Sequence, residues 1–83
     1  MNRILVKLYV PKIEKQYDVW IPINKSIYSV MMSFITGINQ LNNIEYDINV
    51  FPKLYNKSTA EPYDVNEIVI NTDIRNGTEL IVF

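Results

Sequence analysis

Two hydrophobic rhythms run along this chain. In residues 26–41 (SIYSVMMSFITGINQL) the apolar positions Ile27, Val30, Met31, Phe34, Ile38 and Leu41 recur at steps of three and four. That spacing lays one apolar stripe along a helix. Ser26 stands just ahead of the stripe, where its hydroxyl can accept from a free N–H of the first turn. Gly37 interrupts the pattern at a cost of about 1 kcal/mol relative to Ala. The helix therefore either ends near Thr36 or tolerates the glycine, and Ile38 and Leu41 belong to the core in both cases. Asn42-Asn43 is a stop signal.

The other rhythm has period two, the signature of strands. In residues 3–10, Ile4, Val6, Leu8 and Val10 fall on one face, and Leu5, Lys7 and Tyr9 on the other. Pro11 cannot donate to a ladder and should end that strand. Residues 17–23 alternate again, with Tyr17, Val19, Ile21 and Ile23 against Asp18, Trp20 and Pro22. Two such runs with a short polar link read as a β-hairpin. Pro22 makes the second run an edge strand or a strand whose end leaves the ladder. A third strand is expected at residues 46–51, with Ile48 and Val50 inward and Asn49 and Phe51 outward, and Pro52 cutting it short. Residues 54–62 leave room for a short fourth strand. Val65, Ile68, Val69 and Ile70 cluster without a clear period, and Asp64 and Glu67 have the spacing of a capping box on a helical turn. Asn76-Gly77 is the strongest turn signal, since both residues accept positive φ cheaply. Residues 78–83 form a last alternating strand, with Leu80 and Val82 against Glu79, Ile81 and Phe83.

A hairpin, a helix that crosses the sheet, and further strands make an α+β chain of β-grasp type. The expected sheet is mixed, of four to five strands, with the helix packed on one face. Its first and last strands lie side by side and parallel, in the order second, first, last, third. The inward set is Ile4, Val6, Leu8, Val19, Ile21, Ile27, Val30, Met31, Phe34, Ile48, Val50, Ile74, Leu80 and Val82. All residues, 1–83, belong to this single domain, with no internal repeat or linker.

One helix covers one side of a sheet. The other side then carries Leu5, Lys7, Tyr9, Asp18, Trp20, Phe51, Glu79, Ile81 and Phe83, which is rich in apolar rings for a wetted face. Contiguous apolar patches of this kind tend to be partner surfaces, and Trp and Tyr are frequent interface anchors. Leu5, Tyr9, Trp20, Phe51, Ile81 and Phe83 are therefore the expected protein-interaction residues. A second copy of the chain meeting through the same patch is one form of that partner. If the loops at 11–16 and 53–62 cover these residues, they are core instead.

Composition narrows the chemistry. Hydrophobic residues make up 48% and charged residues 20%, as in ordinary globular domains and unlike disordered chains. A net charge of −1 with no basic run gives nucleic acid or anionic lipid nothing to grip. No stretch approaches the roughly 20 apolar residues that span a bilayer, and Lys7 interrupts the only N-terminal run that could serve as a signal core. A cytoplasmic protein is expected. His and Cys are both absent, which removes the usual nucleophilic triads and most zinc sites. Asp64 with Glu67 and Asp73 with Glu79 are the nearest acidic pairs and read as solvated turn residues. No phosphate loop is present, since Gly37 and Gly77 stand alone. No catalytic residue, metal or cofactor is expected.

The stretch Val69-Ile-Asn-Thr-Asp-Ile74-Arg-Asn76-Gly77-Thr-Glu-Leu80-Ile-Val82-Phe83 resembles the end of ubiquitin-like domains, and Pro22-Ile-Asn-Lys-Ser26-Ile27-Tyr-Ser-Val30 resembles their strand-to-helix passage. In length and in its hairpin start the chain looks most like the YukD family, small bacterial ubiquitin-like proteins associated with type VII (ESX-type) secretion systems. That resemblance implies a β-grasp fold and a protein-binding accessory or regulator of the secretion machinery, with no catalytic residues to carry over. Conjugated ubiquitins and sulfur carriers end in Gly-Gly, whereas this sequence ends in Val82-Phe83. The expectation is a non-conjugating interaction module; a sulfur-carrier or conjugated protein is the disfavoured alternative.

Overall fold

The computed structural model describes residues 2–42 and 52–83. Strand β1 (Arg3–Val10) turns through a single 3-10 turn at Pro11–Ile13 into strand β2 (Lys15–Pro22). Helix α1 (Ile27–Asn42) follows, then strand β3 (Leu54–Asn56), a second 3-10 turn at Val69–Asn71, and strand β4 (Glu79–Val82). The described strands form one sheet in the order β2-β1-β4-β3. β1 and β4 pair in parallel, and the two outer pairings are antiparallel. This mixed sheet with one helix is the β-grasp architecture that the order of elements predicts.

Pro22 ends β2 on the outer edge of the sheet, where its missing N–H costs no ladder bond. β2 begins at Lys15, two residues earlier than its alternation indicates. Glu14 takes the left-handed conformation (φ 54°) after the 3-10 turn, which tightens the link and lets pairing resume at once. The position beside β4 expected for residues 46–51 is held by Leu54–Asn56. Residues 46–51, with Ile48, Val50 and Phe51, lie outside the described residues.

α1 is fixed at its N-terminus by contacts near and far. Ser26 caps it: the Ser29 N–H donates to Ser26 Oγ at 3.1 Å. The first-turn donors Ile27 N–H and Tyr28 N–H reach the carbonyls of Glu67 and Val65, each at 2.9 Å. A tight turn offers those carbonyls, closed by Asn66 N–H to Asp64 Oδ1 at 2.9 Å and by Glu67 N–H to the Asp64 carbonyl at 3.1 Å. The helical turn expected from the Asp64 and Glu67 spacing does not form. This segment caps another helix instead, its Val65 and Glu67 carbonyls accepting from the first turn of α1.

α1 runs through Gly37 to Asn42. Ile27, Val30, Met31, Phe34 and Ile38 are buried, and so is Ile35, which the stripe omitted. Leu41, expected in the core, is 74% exposed. It lies on the buried arc of the helix but at the mouth of a groove between α1 and β2, not over the sheet. From the sheet, Val6, Leu8, Val10, Ile21, Leu54, Leu80 and Val82 are buried, and Val69 and Ile74 join them from the connecting chain. Ile4 and Val19 pack at the core's rim, half-buried.

The turn at 75–78 docks β4 on β1. Thr78 N–H donates to the Arg75 carbonyl at 3.0 Å, and Gly77 takes φ +85°. Asn76 needs no positive φ here; it spends its side chain instead, with Leu5 N–H donating to Asn76 Oδ1 at 2.9 Å. Gly77 N–H adds a bond to the Leu5 carbonyl at 2.8 Å.

The two glycines should therefore respond to alanine with opposite signs. A Cβ at Gly37 meets nothing within 4 Å, so Gly37→Ala should raise stability by about 0.5–1 kcal/mol. Gly77 has equal room but a positive φ, so Gly77→Ala should lower stability by about 1–2 kcal/mol. Urea denaturation of both variants checks this pair.

Candidate functional site: the open face of the sheet

Strand register sorts the uncovered face into rows. Leu5 lies opposite Trp20 at one end. Next, Asp18, Lys7 and Glu79 line up across β2, β1 and β4, with Lys57 beside Glu79 through its N–H to the Glu79 carbonyl at 2.9 Å. Then come Gln16, Tyr9, Ile81 and Tyr55. Phe83 closes the far end, paired in both directions with the Lys53 backbone at 3.0 and 3.1 Å.

Of the expected interaction residues, Trp20 is 56% exposed, Phe83 60% and Leu5 36%. Tyr9 and Ile81 are half-buried, and Phe51 lies outside the described residues. The structure brings Tyr9, Ile81 and Phe83 into one neighbourhood and Leu5 with Trp20 into another. The row of alternating charge, Asp18, Lys7, Glu79 and Lys57, separates the two. The apolar face is thus two patches and not one.

Tyr55 and Lys57 also belong to this face and went unmarked in the sequence. The Tyr55 ring meets Phe83 edge-on, with centroids 5.7 Å apart, an arrangement favoured by the ring quadrupoles. The Lys57 ammonium sits 3.8 Å from the Tyr9 ring centroid and 3.3 Å from Glu79 Oε2. Contact with Tyr9, opposed by partial desolvation and helped by Glu79, holds the Lys57 pKa above its ordinary value. Lys57 therefore stays charged across the physiological range and screens the Tyr9 face. The signal for Tyr55 was the alternation of Leu54, Tyr55 and Asn56 just after Pro52, too short to outweigh the stronger run before it.

Behind β3, Asn56 is a nearly buried polar residue at an inward position. Its amide donates to the Tyr63 hydroxyl at 3.0 Å, and its Oδ1 accepts from Ser58 N–H at 2.9 Å. Tyr63 in turn donates to Asp73 Oδ1 at 2.5 Å. This chain of bonds ties the loop after β3 to the segment that leads into β4 and so steadies the edge that carries Tyr55 and Lys57.

Among the described residues no group of three or more His, Cys, Asp or Glu could hold a metal ion, and no helix is long and apolar enough to cross a membrane. The face offers rings, aliphatic surface and paired charges.

The architecture is that of a ubiquitin-like β-grasp domain. Solved structures with the same fold include the ubiquitin-like domain of the Mycobacterium tuberculosis type VII secretion system protein ECCD1. It is similar over 99% of this chain and 98% of that one, with TM-score 0.73 and 9% identity. The ubiquitin-like domain of an Arabidopsis thaliana protein matches over 100% of this chain and 78% of its own, with TM-score 0.66 and 19% identity. A chain in a toluene 4-monooxygenase complex with the inhibitor 4-bromobenzoate matches over 96% and 95%, with TM-score 0.80 and 10% identity. At these identities the likeness is one of fold alone. No protein-family model matches the chain, and no curated protein matches it in sequence.

The Asn56–Tyr63–Asp73 bonds carry a pH signature. Burial, then the bond to Asp73, pushes the Tyr63 phenol well above its usual range, against a smaller opposing pull from Asn56. A raised folded-state pKa gives stability that is complete below the unfolded value of about 10 and lost as pH climbs above it. Tyr63→Phe removes the bonds to both Asn56 and Asp73 and should cost about 1–3 kcal/mol at neutral pH, the ordinary worth of two such bonds. The gap between wild type and variant should narrow as pH rises above about 10. Chemical denaturation at pH steps through that range measures both.

Proposed function

We propose that this protein is a ubiquitin-like interaction module that binds another protein through the open face of its sheet, and that it serves in the cytoplasm as an accessory or regulator of a type VII secretion system. The observation that carries the reading is the aromatic cluster of Tyr9, Tyr55 and Phe83 around Ile81 on the side of the sheet that α1 leaves bare. Rings with one polar end and one apolar body anchor interfaces well. A charged row beside them sets register and steers approach.

In this reading Phe83 and Tyr55 are the anchors of one patch and Trp20 with Leu5 the anchor of the other. Asp18, Lys7, Glu79 and Lys57 meet complementary charges on the partner. The likeness of the final turn and strand to ubiquitin-like domains supports the module, and the resemblance in length and hairpin start to the YukD family, with the fold shared with the ECCD1 domain, supports the secretion assignment.

Calorimetric titration with the purified cytoplasmic domains of a type VII secretion complex tests the reading. Binding is expected, with Phe83→Ala and Trp20→Ala each weakening it by tenfold or more, about 1.4 kcal/mol, while circular dichroism stays unchanged. Wild-type binding that neither variant alters, or no binding at all, would sink it. Sedimentation at several concentrations decides whether a second copy of the chain uses the same face.

A further inference from the structure

A groove of about 500 Å³ runs between α1 and β2, away from the aromatic cluster of the open face. Its helical wall carries a row spaced four residues apart, Ser29, Ser33, Gly37 and Leu41, beside the apolar row Val30, Phe34 and Ile38, and faces Val19 and Trp20 of β2. Three small residues in a row keep the groove wide. Gly37 is the informative one. Nothing in the fold needs its smallness, because a Cβ there would meet no atom within 4 Å, and glycine weakens a helix interior. A side chain at that position would fill the groove.

The opposite lip is a strand edge. β2 is the outermost strand of the sheet on that side. Ile23 N–H donates to the Asn2 carbonyl at 2.9 Å. The alternation of an antiparallel ladder then turns Ile21, Val19, Tyr17 and Lys15 toward β1. The same alternation turns the N–H and C=O groups of Gln16, Asp18 and Trp20 outward. Among the described residues no strand or bridge pairs with that edge. Among the described residues the one charged side chain lining the groove is Lys25, at its end nearest the start of α1.

We propose that this groove binds an extended peptide segment of another protein, which adds a strand to β2. Its alternate side chains are apolar and enter the groove; an acidic residue lies at the end beside Lys25. A docked helix would leave the outward N–H and C=O groups of three residues uncovered, whereas an extended backbone satisfies them at every second position. A second copy of this chain fits poorly. Antiparallel pairing centred on Asp18 sets that carboxylate against its own copy. A shift one way brings Pro22, which has no N–H, opposite Gln16, and a shift the other way runs into the left-handed Glu14. The groove meets the open face at Trp20, which lines both, but the proposal does not depend on the function proposed for that face.

The probe is a short end-blocked peptide of alternating valine and threonine with a glutamate pair at one end, made in both end orientations. Amide exchange by NMR and the fluorescence of Trp20, the single tryptophan, report binding. Exchange at the Gln16, Asp18 and Trp20 amides should slow about tenfold at saturation. N-methylation of alternate peptide amides should abolish binding in one register and spare it in the other. Gly37→Leu should remove binding while the helix stays intact by circular dichroism. Lys25→Glu should turn the preference from a glutamate pair to a lysine pair. The proposal falls if those amides are unaffected at millimolar peptide, or if both N-methylated sets bind like the parent. It also falls if the same amides become protected without peptide as protein concentration rises, which would make a second copy the occupant. Shifts confined to the Tyr9, Tyr55 and Phe83 amides would overturn it too, while leaving the open face as the binding surface.

Discussion

The parallel pairing of β1 with β4, with Leu8 opposite Leu80, is the constraint on which the rest of the molecule hangs. Parallel neighbours cannot be joined by a tight turn, so the chain between them must leave the sheet and come back. That detour contains α1, whose apolar stripe covers the face where Val6, Leu8, Leu80 and Val82 lie buried. It also contains the segment through Glu67, Val69 and Ile74, which returns under the helix and seals its first turn. The Asn76 and Gly77 bonds to Leu5 then set the register of the closing strand. Removing that central pair would leave a hairpin and a helix with nothing to share.

A sheet roofed by one helix has two unfinished regions, and both are chemically specific. The bare side carries rings in two patches divided by a row of alternating charges. The β2 edge carries backbone groups beside a groove kept wide by serines and a glycine. In neither region does the core demand the residues found there. Phe83 could be polar and Gly37 could be alanine without disturbing what lies beneath, since one is mostly exposed and a Cβ at the other would meet nothing within 4 Å.

Much of this was readable from the chain. The helix announced itself through Ile27, Val30, Met31, Phe34 and Ile38 and through the Ser26 cap, because a period of 3.6 needs only local information. The hairpin and final strand were equally plain in their alternation. What escaped was set at long range. Residues 54–62 left room for a short strand, and one forms at Leu54–Asn56, but three residues carry too little periodicity to place it beside β4. Asp64 and Glu67 have the spacing of a helix start, yet their segment makes a tight turn whose carbonyls accept from the first turn of α1. Leu41 keeps the helical phase and is exposed all the same, since phase does not say where the sheet stops. On the open face the identities of Leu5, Tyr9, Trp20, Ile81 and Phe83 were legible, but the division into two patches required the cross-strand register, which places Lys7 and Glu79 in one row.

The seal at the start of α1 bears on when the domain can assemble during synthesis. Ile27 and Tyr28 obtain their hydrogen-bond partners from Glu67 and Val65, and Leu8 obtains its strand neighbour from Leu80. These are contacts of high sequence separation, and loop-closure entropy must be met before they give anything back. A growing chain that has reached only α1 holds a hairpin and a helix with two unsatisfied first-turn donors and no central strand. The fold is therefore withheld until Glu79–Val82 have been made, and a truncated product stays open to proteases.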